Sequence, residues 1–92
     1  MKPTDQFTIP SHVMARQVGD ETVILDLASG AYFGLDPVGA RAWELLAAHQ
    51  TVAQTCATLL GEYDVAADVL ERDVMQLLET LLSKQLIGVR GA

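Results

Sequence analysis

The stretch from Val13 to Leu27 holds two apolar-rich, β-prone runs that break at Gly19-Asp20. A Gly-Asp pair between two β-prone runs is a hairpin signal, so two antiparallel strands are expected on either side of it. In the second run Val23, Leu25 and Leu27 alternate with Thr22, Ile24 and Asp26, which predicts one face in the core and one partly open. Ser29-Gly30 gives another turn, into a third short strand over Ala31–Leu35. That strand lies at an edge if spatial order follows sequence order. Tyr32 and Phe33 then point to opposite faces, one toward the core and one outward.

From Asp36-Pro37 onward the apolar spacing becomes helical. Asp accepts hydrogen bonds from free amides at a helix start, and Pro suits the first helical position. Ala40, Trp43, Leu46 and Ala47 form the apolar stripe of this first helix. Thr51-Val52-Ala53-Gln54 fits a capping box opening a second helix, which buries Cys56, Leu59 and Leu60 and stops near Gly61. A third helix is expected from about Ala66 to Lys84, with Asp68–Glu71 at its positive end and Lys84 at its negative end. Leu70, Val74, Leu77 and Leu81 share one stripe, Met75, Leu78 and Leu82 lie beside it, and Asp73, Gln76, Glu79 and Ser83 lie opposite. This apolar face is wider than one core contact requires. The tail Leu86–Val89 is expected to add a short extended piece.

The pattern gives an α+β fold, and 92 residues accommodate a single domain, 1–92. Twelve acidic residues against six basic ones give a net charge of -6, the wrong sign for neutralising a phosphate backbone, so no nucleic-acid partner is expected. No apolar run approaches the roughly 20 residues of a membrane span, and Met1–Pro10 lacks the apolar segment of a secretory signal. With Cys56 as the lone cysteine, unable to form an internal disulfide, a cytoplasmic protein without a membrane partner is expected.

The residues offer little catalytic chemistry. His12 and His49 lie far apart at predicted element ends, and no Cys or carboxylate spacing near them resembles a zinc pattern. Surface histidines are the plainer account, and no metal or cofactor is expected. Cys56 on an apolar helix face reads as a small hydrophobe, since nothing near it would lower its pKa. The acid pairs read as caps and solvated charges. Gly30, Gly34 and Gly39 lack the spacing of a phosphate loop. Trp43 reads as core. What stands out is an open strand edge beside a helix with surplus apolar width, a geometry that accepts an added peptide strand. The same pattern also fits a covered edge in a small α+β core, and the two later helices also fit a helix-turn-helix.

The run from Gly30 to Leu46 (GAYFGLDPVGARAWELL), followed by Thr51-Val52-Ala53, Glu62-Tyr63-Asp64-Val65, Asp73-Val74, Leu77-Leu78 and Leu86-Ile87, resembles the PqqD-like family. The likeness extends over Val13–Val89 and is nearest to the stand-alone members of lasso-peptide biosynthesis. It implies three antiparallel strands followed by three helices in a winged-helix-like arrangement. It also implies a non-catalytic recognition element for ribosomally made, post-translationally modified peptides (a RiPP recognition element). In such an element the leader of the precursor peptide adds to the third strand, and the element presents it to maturation enzymes. Carried over by position, the peptide-binding residues are Ala31, Tyr32, Phe33, Gly34 and Leu35 on the strand and Leu70, Asp73, Val74 and Leu77 on the helix, with Asp73 accepting from a leader hydroxyl or cation. The implied partners are a leader peptidase of the cysteine-protease type and an ATP-dependent cyclase, or a radical-SAM enzyme in the cofactor-maturation branch. The alternative from another class is a winged-helix DNA-binding regulator. Its recognition helix would be Ala66–Lys84, where Arg72 and Lys84 face Asp68, Glu71, Asp73 and Glu79.

Overall fold

The computed structural model describes residues 2–90; Met1, Gly91 and Ala92, which the expected domain of residues 1–92 includes, lie outside the described residues. In chain order the elements are β1 (Gln6–Thr8), β2 (Val13–Val18), β3 (Glu21–Asp26), β4 (Tyr32–Leu35), α1 (Pro37–Ala47), α2 (Val52–Glu62), α3 (Ala67–Ser83) and β5 (Gly88–Arg90). β2, β3 and β4 form an antiparallel sheet in that order, as the alternation predicts. Gly19, in the β2–β3 turn, has φ +62°, a left-handed conformation that glycine adopts without a Cβ clash.

The expectation of three strands is incomplete. β1 and β5 form a second, two-stranded antiparallel sheet that pairs Phe7 with Val89. Phe7 is buried in the core, and the Asp5 and Pro3 carbonyls accept from the Val52 and Ala53 amides. The first turn of α2 thereby gains partners for amides that a helix start leaves free. A three-residue strand with one apolar residue carries too little periodicity to be read from sequence.

The core face of β3 is the one carrying Ile24, which is fully buried and paired with Phe33 on β4. Val23 and Leu25 face outward and are half-buried, and Leu27 is exposed. α1 packs against β3, β4 and the other two helices and buries Gly39, Ala42, Trp43, Leu45 and Leu46. Ala47, placed on the stripe from spacing, is exposed because the buried arc centres on Gly39, Ala42, Trp43 and Leu46. The helix starts follow their sequence signals. The Gly39 amide donates to Asp36 Oδ1 at 2.7 Å with Pro37 at the first helical position, and Thr51 and Gln54 satisfy each other's amides at 2.9 and 3.1 Å.

The helix ends are less regular. Gly61 does not stop α2, which continues through Glu62, and Leu60 is partly exposed. α1 and α3 are followed by His49 (φ 66°) and Gln85 (φ 59°) in the left-handed region where glycine is usual. The Leu86 amide reaches back to the Leu81 carbonyl at 2.9 Å, closing the end of α3 and turning Leu86 and Ile87 into the core.

Thr55 is fully buried on α2, and its hydroxyl has no hydrogen-bond partner among the described residues. A buried unpaired hydroxyl costs about 1–3 kcal/mol, and valine has nearly the same shape. Thr55→Val is expected to stabilise the fold by about 1 kcal/mol, raising Tm by roughly 4–8 °C in a thermal melt.

Candidate functional site

β4 pairs with β3 on one side only, and the phase of that ladder decides which of its backbone groups are free. The Asp26 amide donates to the Ala31 carbonyl at 2.9 Å, and the register pairs Ile24 with Phe33 and Thr22 with Leu35. In an antiparallel ladder hydrogen-bonded and non-hydrogen-bonded pairs alternate, so Phe33 and Leu35 turn their backbone groups toward β3. Tyr32 and Gly34 turn theirs toward the open edge. Their side-chain positions lie on the outer sheet face, where Tyr32 is 76% exposed. Phe33 and Leu35 lie on the face toward the helices.

Beside this edge runs a groove of about 460 Å³. Phe33, Gly34 and Leu35 form one wall, and Leu70, Asp73, Val74 and Leu77 of α3 form the other. Val38, Gly39 and Ala42 of α1 make the floor, and Tyr63, Asp64 and Val65, between α2 and α3, close one end. Gly39 is small for a reason: a Cβ there would stand 3.1 Å from Asp36 Oδ1 and 3.6 Å from Leu77 Cδ2. Of the nine residues assigned from sequence to peptide binding, seven line this groove. Ala31 precedes β4 and spends its carbonyl on β3, and the Tyr32 side chain points away.

Sequence spacing left open which edge of α3 faces the strand. The buried arc of α3 is Leu70, Val74, Leu78 and Leu81, which places Leu77 on the groove side, while Met75 lies against a separate depression lined by Cys56 and Leu60. The Tyr63–Val65 wall was missed as a site. Its signal was the Glu-Tyr-Asp-Val segment, whose apolar residues belong to no helical stripe.

The groove is apolar with a carboxylate rim. Asp36, Asp64 and Asp73 line it, and no Lys or Arg does. Lys84, at the C-terminal end of α3 and outside the groove lining, holds its Nζ 5.8 Å from the centre of the Phe33 ring, within cation–π range. Arg41 on α1 makes a two-pronged contact with Glu62, Nε–Oε1 and Nη2–Oε2 both at 2.9 Å, and a third bond to Glu44 at 3.0 Å. Glu62 immediately precedes Tyr63, so this bridge ties the end wall to the floor helix. Hydrogen bonding to Arg41 holds the Glu62 carboxyl below its usual range, and the bonds to Glu62 and Glu44 push Arg41 up.

The remaining reactive groups lie outside the groove. Cys56 is buried, and burial pushes its thiol pKa up, away from the reactive thiolate. His12 Nε2 stands 3.9 Å from Asp26 Oδ1. Among the described residues no cluster of His, Cys, Asp and Glu has the spacing to hold a metal ion. The arrangement is suited to binding an extended chain.

Comparison with known proteins agrees. The family described as coenzyme PQQ synthesis protein D (PqqD) matches residues 21–87. The chain belongs to the PqqD family. Two solved structures share its fold over nearly their whole length. TbiB1 in complex with the TbiA(beta) leader peptide is 34% identical, with 91% of this chain and 98% of that chain covered and a TM-score of 0.80. A lasso peptide synthetase B1 complexed with the leader peptide is 25% identical, covering 90% of this chain and 98% of that chain at a TM-score of 0.82. No curated protein matches.

Because the folded Glu62 value lies below the ordinary 4.5, its bridge contributes stability fully above pH 4.5 and loses it as pH falls through the lower folded value. Glu62→Gln is expected to flatten the acid-side fall of Tm below pH 4.5 while changing the fall elsewhere little, measured by circular dichroism melts across pH 2.5–7.

Proposed function

We propose that this chain is a recognition element that binds the leader segment of a ribosomally made precursor peptide as an added strand on β4. The observation that carries the reading is the coincidence of two features at one place. The free backbone groups of Tyr32 and Gly34 lie directly beside an apolar groove, in a fold whose solved relatives are leader-peptide complexes. With antiparallel pairing, leader residues bonded to Tyr32 and Gly34 point their side chains outward, and the residue between them points into the groove. Backbone pairing supplies affinity and the groove supplies selectivity. The role is binding and presentation, with no catalytic step on this chain.

The leader-complex relatives include a lasso peptide synthetase B1, which supports a place in lasso-peptide biosynthesis. The partners that follow are a precursor peptide, a leader peptidase of the cysteine-protease type that cuts the presented chain, and an ATP-dependent cyclase that closes it. Such work belongs in the cytoplasm, and no described helix is long and apolar enough to cross a membrane. A DNA-binding role finds no support: the groove wall offered by α3 is apolar with Asp73 at its rim, and the exposed residues Asp68, Glu71 and Glu79 would repel phosphates.

Titration of a fluorescent leader peptide, followed by anisotropy, tests the reading through one amide. Proline is tolerated where an edge strand's N–H faces outward, and an added Cβ at Gly34 meets nothing within 4 Å. Gly34→Pro is expected to remain folded and lose at least tenfold in leader affinity, whereas Gly34→Ala, which keeps the amide, binds nearly as the parent does. Equal binding by both variants would remove strand addition at β4.

The groove makes a separate prediction. Leu77→Glu places a charge on the half-buried wall and is expected to weaken leader binding by about 1–3 kcal/mol, roughly 5- to 150-fold, without loss of the fold. Unchanged affinity would take Leu77 out of the binding surface, and saturable binding to a duplex DNA control would favour the regulator.

A further inference from the structure

The groove beside β4 has two unlike ends. Three carboxylates line it, those of Asp36, Asp64 and Asp73. Asp36 follows β4 directly, and Asp64 lies in the Tyr63–Val65 wall, immediately before the residue that caps the start of α3. α3 therefore begins at the walled end and runs against β4. Leu70 and Asp73 come first, Leu77 stands over Gly39, where a Cβ would lie 3.6 Å from Leu77 Cδ2, and Lys84 at the far end holds its Nζ over the Phe33 ring. At about 1.5 Å of rise per residue Asp73 and Lys84 stand roughly 16 Å apart along the helix, the length of about five strand residues. An acidic end and a basic end thus face one short stretch of strand.

Asp64 and Asp73 are exposed and short of cations. Among the described residues Asp64 has no ion-pair partner, and Asp73 meets only its chain neighbour Arg72, at 3.6 Å, in an exposed contact of little strength. A row of solvated acids alone would signify nothing. Here they border an apolar cleft and a strand edge whose free backbone groups at Tyr32 and Gly34 suit an extended chain, so the acids belong to what that chain meets.

Strand direction turns this asymmetry into a sequence requirement. A peptide paired antiparallel to β4 enters beside Asp36 and leaves beside Tyr32. Its residue opposite Phe33 points into the groove, and the residue two earlier, opposite Leu35, points the same way at the carboxylate end. The residue two later leaves toward Lys84. A cation before the groove-filling residue meets opposite charge, and a cation after it meets like charge.

We propose that the groove reads the charge order of the leader as well as its apolar anchor: it selects Lys or Arg two residues before the groove-filling residue and disfavours a cation two residues after it, where an acid fits. This rests on leader binding at β4. The net charge of -6 attracts any cationic peptide, whereas charge order is read only by a peptide held in one direction and one register.

Two versions of the labelled leader peptide, equal in composition and net charge, test this by anisotropy. One carries Lys two residues before the anchor and Glu two residues after it, and the other has the two exchanged. The anchor is the apolar residue whose change to Ala weakens binding to the parent chain but not to Leu77→Glu. In about 50 mM salt the Lys-first version is expected to bind about fivefold tighter, and in about 0.5 M salt the preference is expected to fall below about twofold. Asp64→Asn/Asp73→Asn is expected to keep the fold and cut the low-salt preference to below about twofold. Asp68→Asn/Glu79→Asn makes the same change in net charge on exposed residues outside the groove lining, and is expected to keep the preference. Equal binding of both versions to the parent chain, a preference that survives in Asp64→Asn/Asp73→Asn, or one lost equally in Asp68→Asn/Glu79→Asn would overturn the proposal and leave leader binding standing. Binding of neither version would remove the leader reading and this one together.

Discussion

The hydrogen bond from the Gly39 amide to the Asp36 carboxylate decides where the groove can be. It starts α1 one residue after β4 ends, so the open strand edge and the floor of the groove are joined by a single capping residue. A longer connection would let the helix drift from the sheet. Pro37 fixes the backbone at the first helical position, and Gly39 lets Leu35, Asp36 and Leu77 close in around it. Because edge, floor and α3 wall meet at this junction, the groove has its shape before any peptide arrives. On the proposed reading, binding orders only the peptide, which lowers its entropic cost.

Around that junction the molecule is arranged to keep one strand edge unpaired. The hairpin satisfies the other side of β4, the helices cover the inner face, and the Arg41–Glu62 bridge fixes the segment that ends the groove. An exposed edge is usually a hazard because it can pair with any extended chain. Here its short length, with two residues offering outward backbone groups, and its carboxylate-rimmed neighbour restrict what can pair. The net charge of -6 adds repulsion between copies.

Much of the fold was legible because its signals are local. Gly19-Asp20, Asp36-Pro37 and the Thr51–Gln54 box each act within a few residues, and each sits where it was expected. What stayed hidden depends on tertiary context. β1 exists because Phe7 has a core to enter and β5 to pair with, 80 or so residues away. The ends of α1 and α3 carry His49 and Gln85 in a conformation that announces itself only when glycine fills it. The alternation in β3 offered two faces, and the one with more large apolar residues, Val23, Leu25 and Leu27, is the outer one. Most strand and helix residues of the groove were found by position in the family, and the Tyr63–Val65 wall was not, because a loop has no period to read.

The pairing of β1 with β5 also has a consequence for how such a domain can be used. The polypeptide enters and leaves at one spot, with Gln6 opposite Arg90, and neither strand lines the groove. A domain whose two ends meet can be spliced into a surface loop of another protein as a cassette, without stretching its host or blocking its own cleft. By that geometry the same fold can serve as a free adaptor or as a built-in module of a larger enzyme.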